Sequence, residues 1–210
     1  NKINKVYGIF NGTSNYILSS IDKENKNFKD VLLNAQKLGF AESNPISDLN
    51  GDDVAAKLKI LSSLCFNSFI DDKIHVEGIK NIDKVDIDNA NKLGYKIKLL
   101  GVSEIIENKV YQRVHPSLIK KSSYIASIDG VLNAVIVNGT PIGESIIQGE
   151  GAGPKATTSA LISDISSILR GNIKFPFSIS NNERKKINYE GIDERFFSAY
   201  LRFEVLDKPG

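Results

Sequence analysis

Four segments with the composition of β-strands follow one another closely in the middle of the chain, and this block most restricts the fold. They cover residues 96–106, 109–119, 132–139 and 144–149, with short turn sequences between the first and second segments and between the third and fourth. Strong helical patterns lie before the block rather than between its strands, which is typical of an α+β fold. We therefore predict a mixed sheet with helices covering one face, built from these strands and from the first and last segments of the chain.

Two segments before the sheet have clear helical periodicity. Between residues 28 and 38 apolar side chains recur at helical spacing, and Gly39 stands where a C-terminal cap glycine is expected. The same period over residues 54–65 predicts a second helix, with Cys65 as a small core residue. A helix capped by Asn11 or Thr13 is expected after the first strand, and a long helix should end at Gly171.

The composition excludes several classes of function. The 210 residues carry a net charge of +2, which argues against nucleic acid as the main partner. No apolar run is long enough for a helix that spans a membrane. One cysteine and two distant histidines supply neither a disulfide framework nor a zinc ligand set. We expect no metal site in this chain and a reducing, cytoplasmic environment.

The two ends of the chain suggest a piece of a longer protein. The sequence has no initiator methionine, and residues 196–210 have a strand pattern that stops at a Lys-Pro-Gly turn. Residues 181–195 are polar and are predicted to be a linker, and the charged residues of 82–97 a solvated face. The expected organisation is one domain over 1–180, the linker over 181–195 and the first strand of another domain over 196–210.

The densest polar cluster contains Glu42, Asp48, Asp53 and Lys57. Asp53 and Lys57 are four residues apart and so share one helix face. Carboxylates beside one lysine suit an amino-acid substrate, because the carboxylates would hold its ammonium group and the lysine could give or take a proton. Spacing alone leaves open a common alternative, an exposed pair worth about 0.2–0.5 kcal/mol on a helix surface.

Two glycine-containing segments are further candidates. Residues 149–153 follow a strand and open a helix, where phosphates are often bound, although their spacing is neither a dinucleotide-binding fingerprint nor a Walker A loop. The alternative is a tight connection that needs close backbone approach. Residues 11–13 could receive a carboxylate on free backbone N–H groups, or form a simple helix cap.

These three features, in this order, resemble the homoserine dehydrogenase family. The matching segments are residues 8–18, 35–61 and 149–165. The second is the most specific, and its matching positions are Leu38, Gly39, Phe40, Ala41, Glu42, Pro45, Asp48, Gly51, Asp53 and Lys57. The tail from residue 200 resembles the start of an ACT regulatory domain, which many bacterial members carry.

The resemblance implies an enzyme that interconverts L-aspartate semialdehyde and L-homoserine with NADP or NAD, on the route to threonine, methionine and isoleucine. It also implies a homodimer. Lys57 would be the catalytic proton donor. The other implied roles are substrate binding by Glu42, Asp53, Asp48, Gly12 and Thr13, and cofactor contact by Gly39 and Gly153.

Some features depart from the family pattern. Ser43 and Asn44 replace a proline-acid pair, and Pro154 begins a segment that differs from the usual one. The family's N-terminal Rossmann domain is absent from this sequence, so the chain is expected to be inactive alone. A non-catalytic oligomerisation or amino-acid-sensing module remains an alternative, as does a reductase for another amino-acid aldehyde.

Overall fold

A computed structural model of the chain describes residues 2–69, 74–172, 180–191 and 196–205. The strands are β1 Lys2–Ile9, β2 Ser68–Phe69, β3 His75–Val76, β4 Tyr95–Ile106, β5 Lys109–Lys120, β6 Leu132–Thr140, β7 Gly143–Glu150, β8 Lys185–Lys186 and β9 Asn188–Glu190. The α-helices are α1 Gly12–Glu24, α2 Phe28–Lys37, α3 Ile46–Asn50, α4 Asp52–Phe66, α5 Lys84–Lys92 and α6 Pro154–Leu169.

The main sheet of the described residues has the strand order β3-β5-β4-β1-β6-β7, and β9 joins it at the β5 edge. β3 and β9 run parallel to β5, whereas the other neighbours are antiparallel. The β4–β5 hairpin turns at Glu107 and Asn108, whose φ angles of 50° and 63° suit a two-residue hairpin turn. The prediction of a mixed sheet in an α+β fold is confirmed.

Helices cover one face of this sheet, as predicted. Alternate side chains of the strands, including Leu99 and Val114, join Val54 of α4 and Ile17 of α1 in one buried cluster. The first strand leads into Phe10, whose ring lies over Gly101. A Cβ atom added to Gly101 would come within 2.8 Å of that ring, so the glycine leaves room for the aromatic side chain.

The opposite face is partly covered by the chain itself. A 3₁₀ helix at Tyr124–Ser127 follows β5 and brings Ile125 and Ile128 against the sheet. These two side chains pack with Ile9, Leu100 and other residues of the central strands. Both faces of the sheet centre are therefore buried.

The helix α6 ends as predicted, with Gly171 at a φ of 74° just beyond it. None of its residues is buried, unlike those of α1 and α4. Its large exposed apolar residues are Leu161, Ile162, Ile165, Ile168 and Leu169.

The segment predicted to be a linker contains β8 and β9. β8 pairs with β2, and β9 pairs with β5. An edge strand exposes unpaired backbone N–H and C=O groups that can bond to any sequence, so a polar segment can form a strand there without an apolar pattern. The strand expected from residue 196 is not formed over 196–205, and 206–210 lie outside the described residues. A strand needs a second strand that pairs with its backbone. The described part of this segment is held by side chains, because Tyr200 and Arg202 donate hydrogen bonds to Asp86 in the first turn of α5.

Candidate active site

A cavity of about 530 Å³ lies where the end of β1, the loop after α2 and the β7–α6 connection meet. All eight residues that the sequence analysis singled out line it, although they come from four separate stretches of the chain. They are Gly12, Thr13, Gly39, Glu42, Asp48, Asp53, Lys57 and Gly153.

The first turn of α1 forms one wall. Asn11 is the N-cap: its φ of −134° is extended, and its Oδ1 accepts a hydrogen bond of 2.8 Å from the Ser14 N–H. Thr13, the other residue considered as a cap, donates its hydroxyl hydrogen to the Phe40 carbonyl at 2.7 Å. A Cβ atom on Gly12 would lie 2.8 Å from the Val131 carbonyl oxygen, so glycine permits this close approach.

Gly51 joins the two helices that carry the aspartates. Its φ of 89° turns the chain sharply between α3, which bears Asp48, and α4, which bears Asp53 in its first turn. A Cβ atom there would lie 3.1 Å from Val76 and 3.2 Å from Val114. The turn brings both carboxylates to the same side of the molecule, and Asp53 also lies at the favourable end of the α4 dipole.

Asn11 links these two carboxylates. Its Nδ2 donates to Asp48 Oδ1 at 2.7 Å and to Asp53 Oδ2 at 2.8 Å. From the sequence, Asn11 is expected to cap the helix or to belong to a turn that receives a carboxylate, and not to bind two aspartate side chains. No local pattern could have revealed the two contacts, because the acceptors lie 37 and 42 residues further along the chain.

Lys57 Nζ lies 2.7 Å from Asp53 Oδ2, so the predicted shared helix face is confirmed. The same nitrogen donates to the Phe10 carbonyl at 3.0 Å, which ties it to the end of β1. The side chains of Lys57 and Asp53 are 46% and 30% exposed, and both open onto the cavity. A simple surface pair would not have this third partner from a distant strand.

Glu42 lies on the loop after α2, and the Gln36 side chain secures this loop. Its Nε2 donates to the Glu42 carbonyl at 3.1 Å and to the Ser43 carbonyl at 3.4 Å. Glu150 belongs to the predicted glycine segment but has no role assigned from the sequence, and it also lines the cavity. The cavity therefore has four carboxylates and one lysine among its lining residues, an excess of negative charge that favours a cationic ligand.

Glycines leave the backbone open on the remaining walls. Gly39 and Gly153 have φ angles of 76° and 101°, and a Cβ atom on either would meet no atom within 4 Å. Gly151 differs, because its Cβ would lie 1.9 Å from Asn133 Nδ2. Asn133 Oδ1 is buried without a hydrogen-bond partner. In the glycine segment, Gly151 thus lets the backbone pass close to Asn133, and Gly153 leaves the backbone open to the cavity.

Metal-binding clusters and membrane-spanning helices are both absent from the described ranges. No group of three or more histidine, cysteine or acidic side chains there is arranged to hold a metal ion. No helix of these ranges has the length and apolar character needed to cross a membrane.

The fold and the cavity define a class: an α+β domain with an acidic, lysine-containing cavity. Comparison with known proteins is more specific. The family model described as homoserine dehydrogenase matches residues 1–166. The chain belongs to the homoserine dehydrogenase family.

Individual relatives agree with this assignment. The homoserine dehydrogenase of Helicobacter pylori is 42% identical over 213 residues, and that of Neisseria gonorrhoeae is 40% identical over 217 residues. Each match covers 100% of this chain and 50% of the relative, so the chain spans about half the length of these relatives. The crystal structure of a homoserine dehydrogenase from Thiobacillus denitrificans superposes with a TM-score of 0.85 at 37% identity, covering 91% of this chain and 46% of that one.

Proposed function

We propose that this chain is the catalytic, substrate-binding domain of a homoserine dehydrogenase that interconverts L-aspartate semialdehyde and L-homoserine. Family membership supports the proposal, and the position of Lys57 carries it. The Lys57 ammonium group is fixed by Asp53 and by the Phe10 carbonyl at the wall of an acidic cavity. A cation held in this way is suited to stabilise charge on a reacting oxygen and to transfer a proton.

The substrate would bind by both of its charged ends. Glu42, Asp53 and Asp48 attract its ammonium group. Gly12 and Thr13 lie in the first turn of α1, where backbone N–H groups have no acceptor within the helix and so favour the substrate carboxylate. Two fixed ends would orient the chain of the substrate toward Lys57.

Lys57 is then the proton donor in the direction of reduction. Addition of hydride to the aldehyde carbon leaves a negative charge on its oxygen, and Lys57 stabilises this charge and gives the oxygen a proton. In the reverse direction the same nitrogen takes the proton of the homoserine hydroxyl. Asp53 keeps the nitrogen at the cavity wall throughout.

The residues present fit a nicotinamide cofactor, either NADP or NAD. Gly39 and Gly153 leave space for a flat ring against the backbone, and the unpaired amide oxygen of Asn133 lies in the same wall. The cofactor, when bound, would exchange hydride with the substrate. Most of its binding surface would come from a nucleotide-binding domain outside this chain.

The proposal extends to the setting of the enzyme. It includes a homodimer, a role in the synthesis of threonine, methionine and isoleucine, and an ACT-like domain that begins near residue 196. A cytoplasmic location is proposed from the single cysteine, which fits a reducing compartment.

We predict that Lys57→Ala impairs catalysis in the full-length protein that contains this chain. Loss of the proton donor should lower kcat for L-homoserine oxidation by about 10²–10⁴, as measured by absorbance of the reduced nicotinamide. Lys84→Ala is the matched control, because Lys84 also pairs with an aspartate four residues away but on α5, outside the cavity. It should leave kcat unchanged.

The outcomes separate the alternatives. A folded wild-type protein without turnover of L-homoserine would support the non-catalytic module. Faster turnover of a longer amino alcohol, such as 5-hydroxynorvaline, would support a reductase for another aldehyde. An active wild type with an equally active Lys57→Ala variant would place the proton transfer on another residue.

A further inference from the structure

We infer that Asn11 is a positioning residue that holds Asp48 and Asp53 together as one ammonium-binding pair. This inference rests on the proposed function, because the two carboxylates that Asn11 holds are among those proposed to bind the ammonium group of the substrate. Asn11 itself would not touch the substrate and acts through the two aspartates.

The hydrogen bonds fix the orientation of the Asn11 side-chain amide. The Ser14 N–H can only donate, so the Asn11 atom that it contacts must be the side-chain oxygen Oδ1. The Asn11 nitrogen is then turned toward the two aspartates, and each of its two hydrogens has one acceptor. The residue is only 5% exposed, so its side chain is enclosed in this orientation.

Electrostatics explain why such a bridge is needed. Asp48 Oδ1 and Asp53 Oδ2 lie within hydrogen-bond distance of the same nitrogen, and two carboxylates this close repel each other. The Asn11 amide places two N–H groups between them. The charged groups around Asn11 are Asp48 on α3 and Asp53 and Lys57 on α4, while Glu42 and Glu150 line the same cavity.

A second asparagine shows what a helix cap alone requires. Asn27 caps α2 in the same way, accepting from the Asp30 N–H at 2.9 Å. Its Nδ2 donates to Asp30 Oδ2 at 2.7 Å, within its own first turn. The donors of Asn11 instead reach two other helices and join them at the cavity.

The test compares serine and aspartate at both asparagines in the full-length protein. Serine and aspartate cap helices about as well as asparagine, so Asn11→Ser and Asn11→Asp keep the cap and remove the bridging donors. Asn27→Ser and Asn27→Asp are the matched controls. For each variant we would measure thermal unfolding and the KM and kcat for L-homoserine between pH 6 and pH 9.

Asn11→Ser should raise the KM for L-homoserine about tenfold or more, with a smaller change in kcat, because the carboxylates move apart while Lys57 keeps its own partners. For Asn11→Asp, the ratio of its KM to that of the wild type should fall as the pH is lowered. The introduced carboxyl group lies between two other carboxylates, which favours its protonated form, and its protonation in acid then restores one bridging hydrogen. Both Asn27 variants should keep the wild-type KM at every pH.

An active wild type with an unchanged KM in Asn11→Ser would overturn this inference alone and leave Asn11 as a helix cap. If Asn11→Ser does not fold, the pH dependence of Asn11→Asp decides, and a KM ratio that stays flat or rises in acid would overturn the inference. A wild type without turnover of L-homoserine would overturn the proposed function and this inference with it.

Discussion

Lys98 on β4 is 1% exposed, which is rare for a lysine side chain. Its nitrogen donates to Asn15 Oδ1 at 3.0 Å, to the Ile128 carbonyl at 2.6 Å and to Asp129 Oδ1 at 2.8 Å. Burial lowers the pKa of Lys98, and its hydrogen bond and charge interaction with Asp129 partly oppose this shift. Lys98 therefore connects α1 to residues 128–129. Two residues further along the chain, the Val131 carbonyl lies close to Gly12 at the cavity.

We predict that Asp129→Asn destabilises the folded state. Asp129 is the charged partner of Lys98, and removal of one partner of a buried ion pair costs about 3–5 kcal/mol because the other charge is left uncompensated. Asp88→Asn is the control, since Asp88 pairs with Lys84 at the surface and should cost about 0.5 kcal/mol. Urea denaturation at pH 7 measures both, and equal losses would contradict the prediction.

The same variant should change the pH dependence of stability. Burial raises the pKa of Asp129, but hydrogen bonds from Lys98 and Lys23 outweigh this and hold the pKa below its usual range. A carboxyl whose pKa is lower in the folded state stabilises the fold above its unfolded pKa of about 3.9, and this contribution disappears as the pH falls through the folded pKa. The difference between wild type and Asp129→Asn should therefore shrink below about pH 4.

Single residues mark the limit of what the sequence could predict. The charged residues of 82–97 were predicted to form a solvated face, yet Asp86 is 4% exposed. Its side chain accepts from the Asp83 N–H in a capping box and also binds Arg202, more than a hundred residues away. The prediction was wrong for Asp86 because a distant partner made its burial favourable, and spacing carries no information about such partners.

At the scale of the elements, the α3–Gly51–α4 corner is the most constrained connection near the cavity. Gly51→Ala should destabilise the fold by about 2–3 kcal/mol, because alanine is strained at positive φ and its methyl group would press on Val76 and Val114. Gly94→Ala is matched in φ, at 83°, but meets no atom within 4 Å, so it should cost only about 1 kcal/mol. Equal losses in denaturant titrations would show that packing at Gly51 adds nothing.

Long elements were predictable and short ones were not. The apolar period over residues 28–38 and 54–65 gave α2 and α4, because each helix buries one face over several turns. Four strands of two or three residues, β2, β3, β8 and β9, are too short for any period to appear. The helix α3, which bears Asp48, illustrates the same limit, since its five residues are too few for a helical period to appear.

The candidate site was predictable as a set of residues but not as an arrangement. The family pattern selected eight positions, and the structure places all of them on one cavity. The bridge from Asn11 to Asp48 and Asp53 and the contact of Lys57 with the Phe10 carbonyl were not predictable. They depend on how β1 and α4 pack, which no local pattern encodes.

At the scale of the whole molecule, the chain spans about half the length of its relatives, and we predict that it is inactive alone. In this chain the glycine segment at 149–153 would supply one wall of a dinucleotide site. An ordinary nucleotide-binding domain holds the dinucleotide in a crevice at the ends of the strands of its own sheet. Purified chain should give no L-homoserine-dependent reduction of NADP or NAD under conditions in which the full-length protein is active. Detectable turnover by the chain would contradict this prediction.

The central position of β1 also sets the order of events in folding. This first strand lies between β4 and β6, and its residue Lys5 pairs with Glu104 and with Asn138. Contacts between such distant residues require closure of long loops, which makes folding slow. During synthesis β1 leaves the ribosome long before either neighbour exists. The cavity-lining turn at residues 11–13, which follows β1 directly, is therefore made well before the strands that flank β1, and it reaches its final geometry only after they have paired with β1.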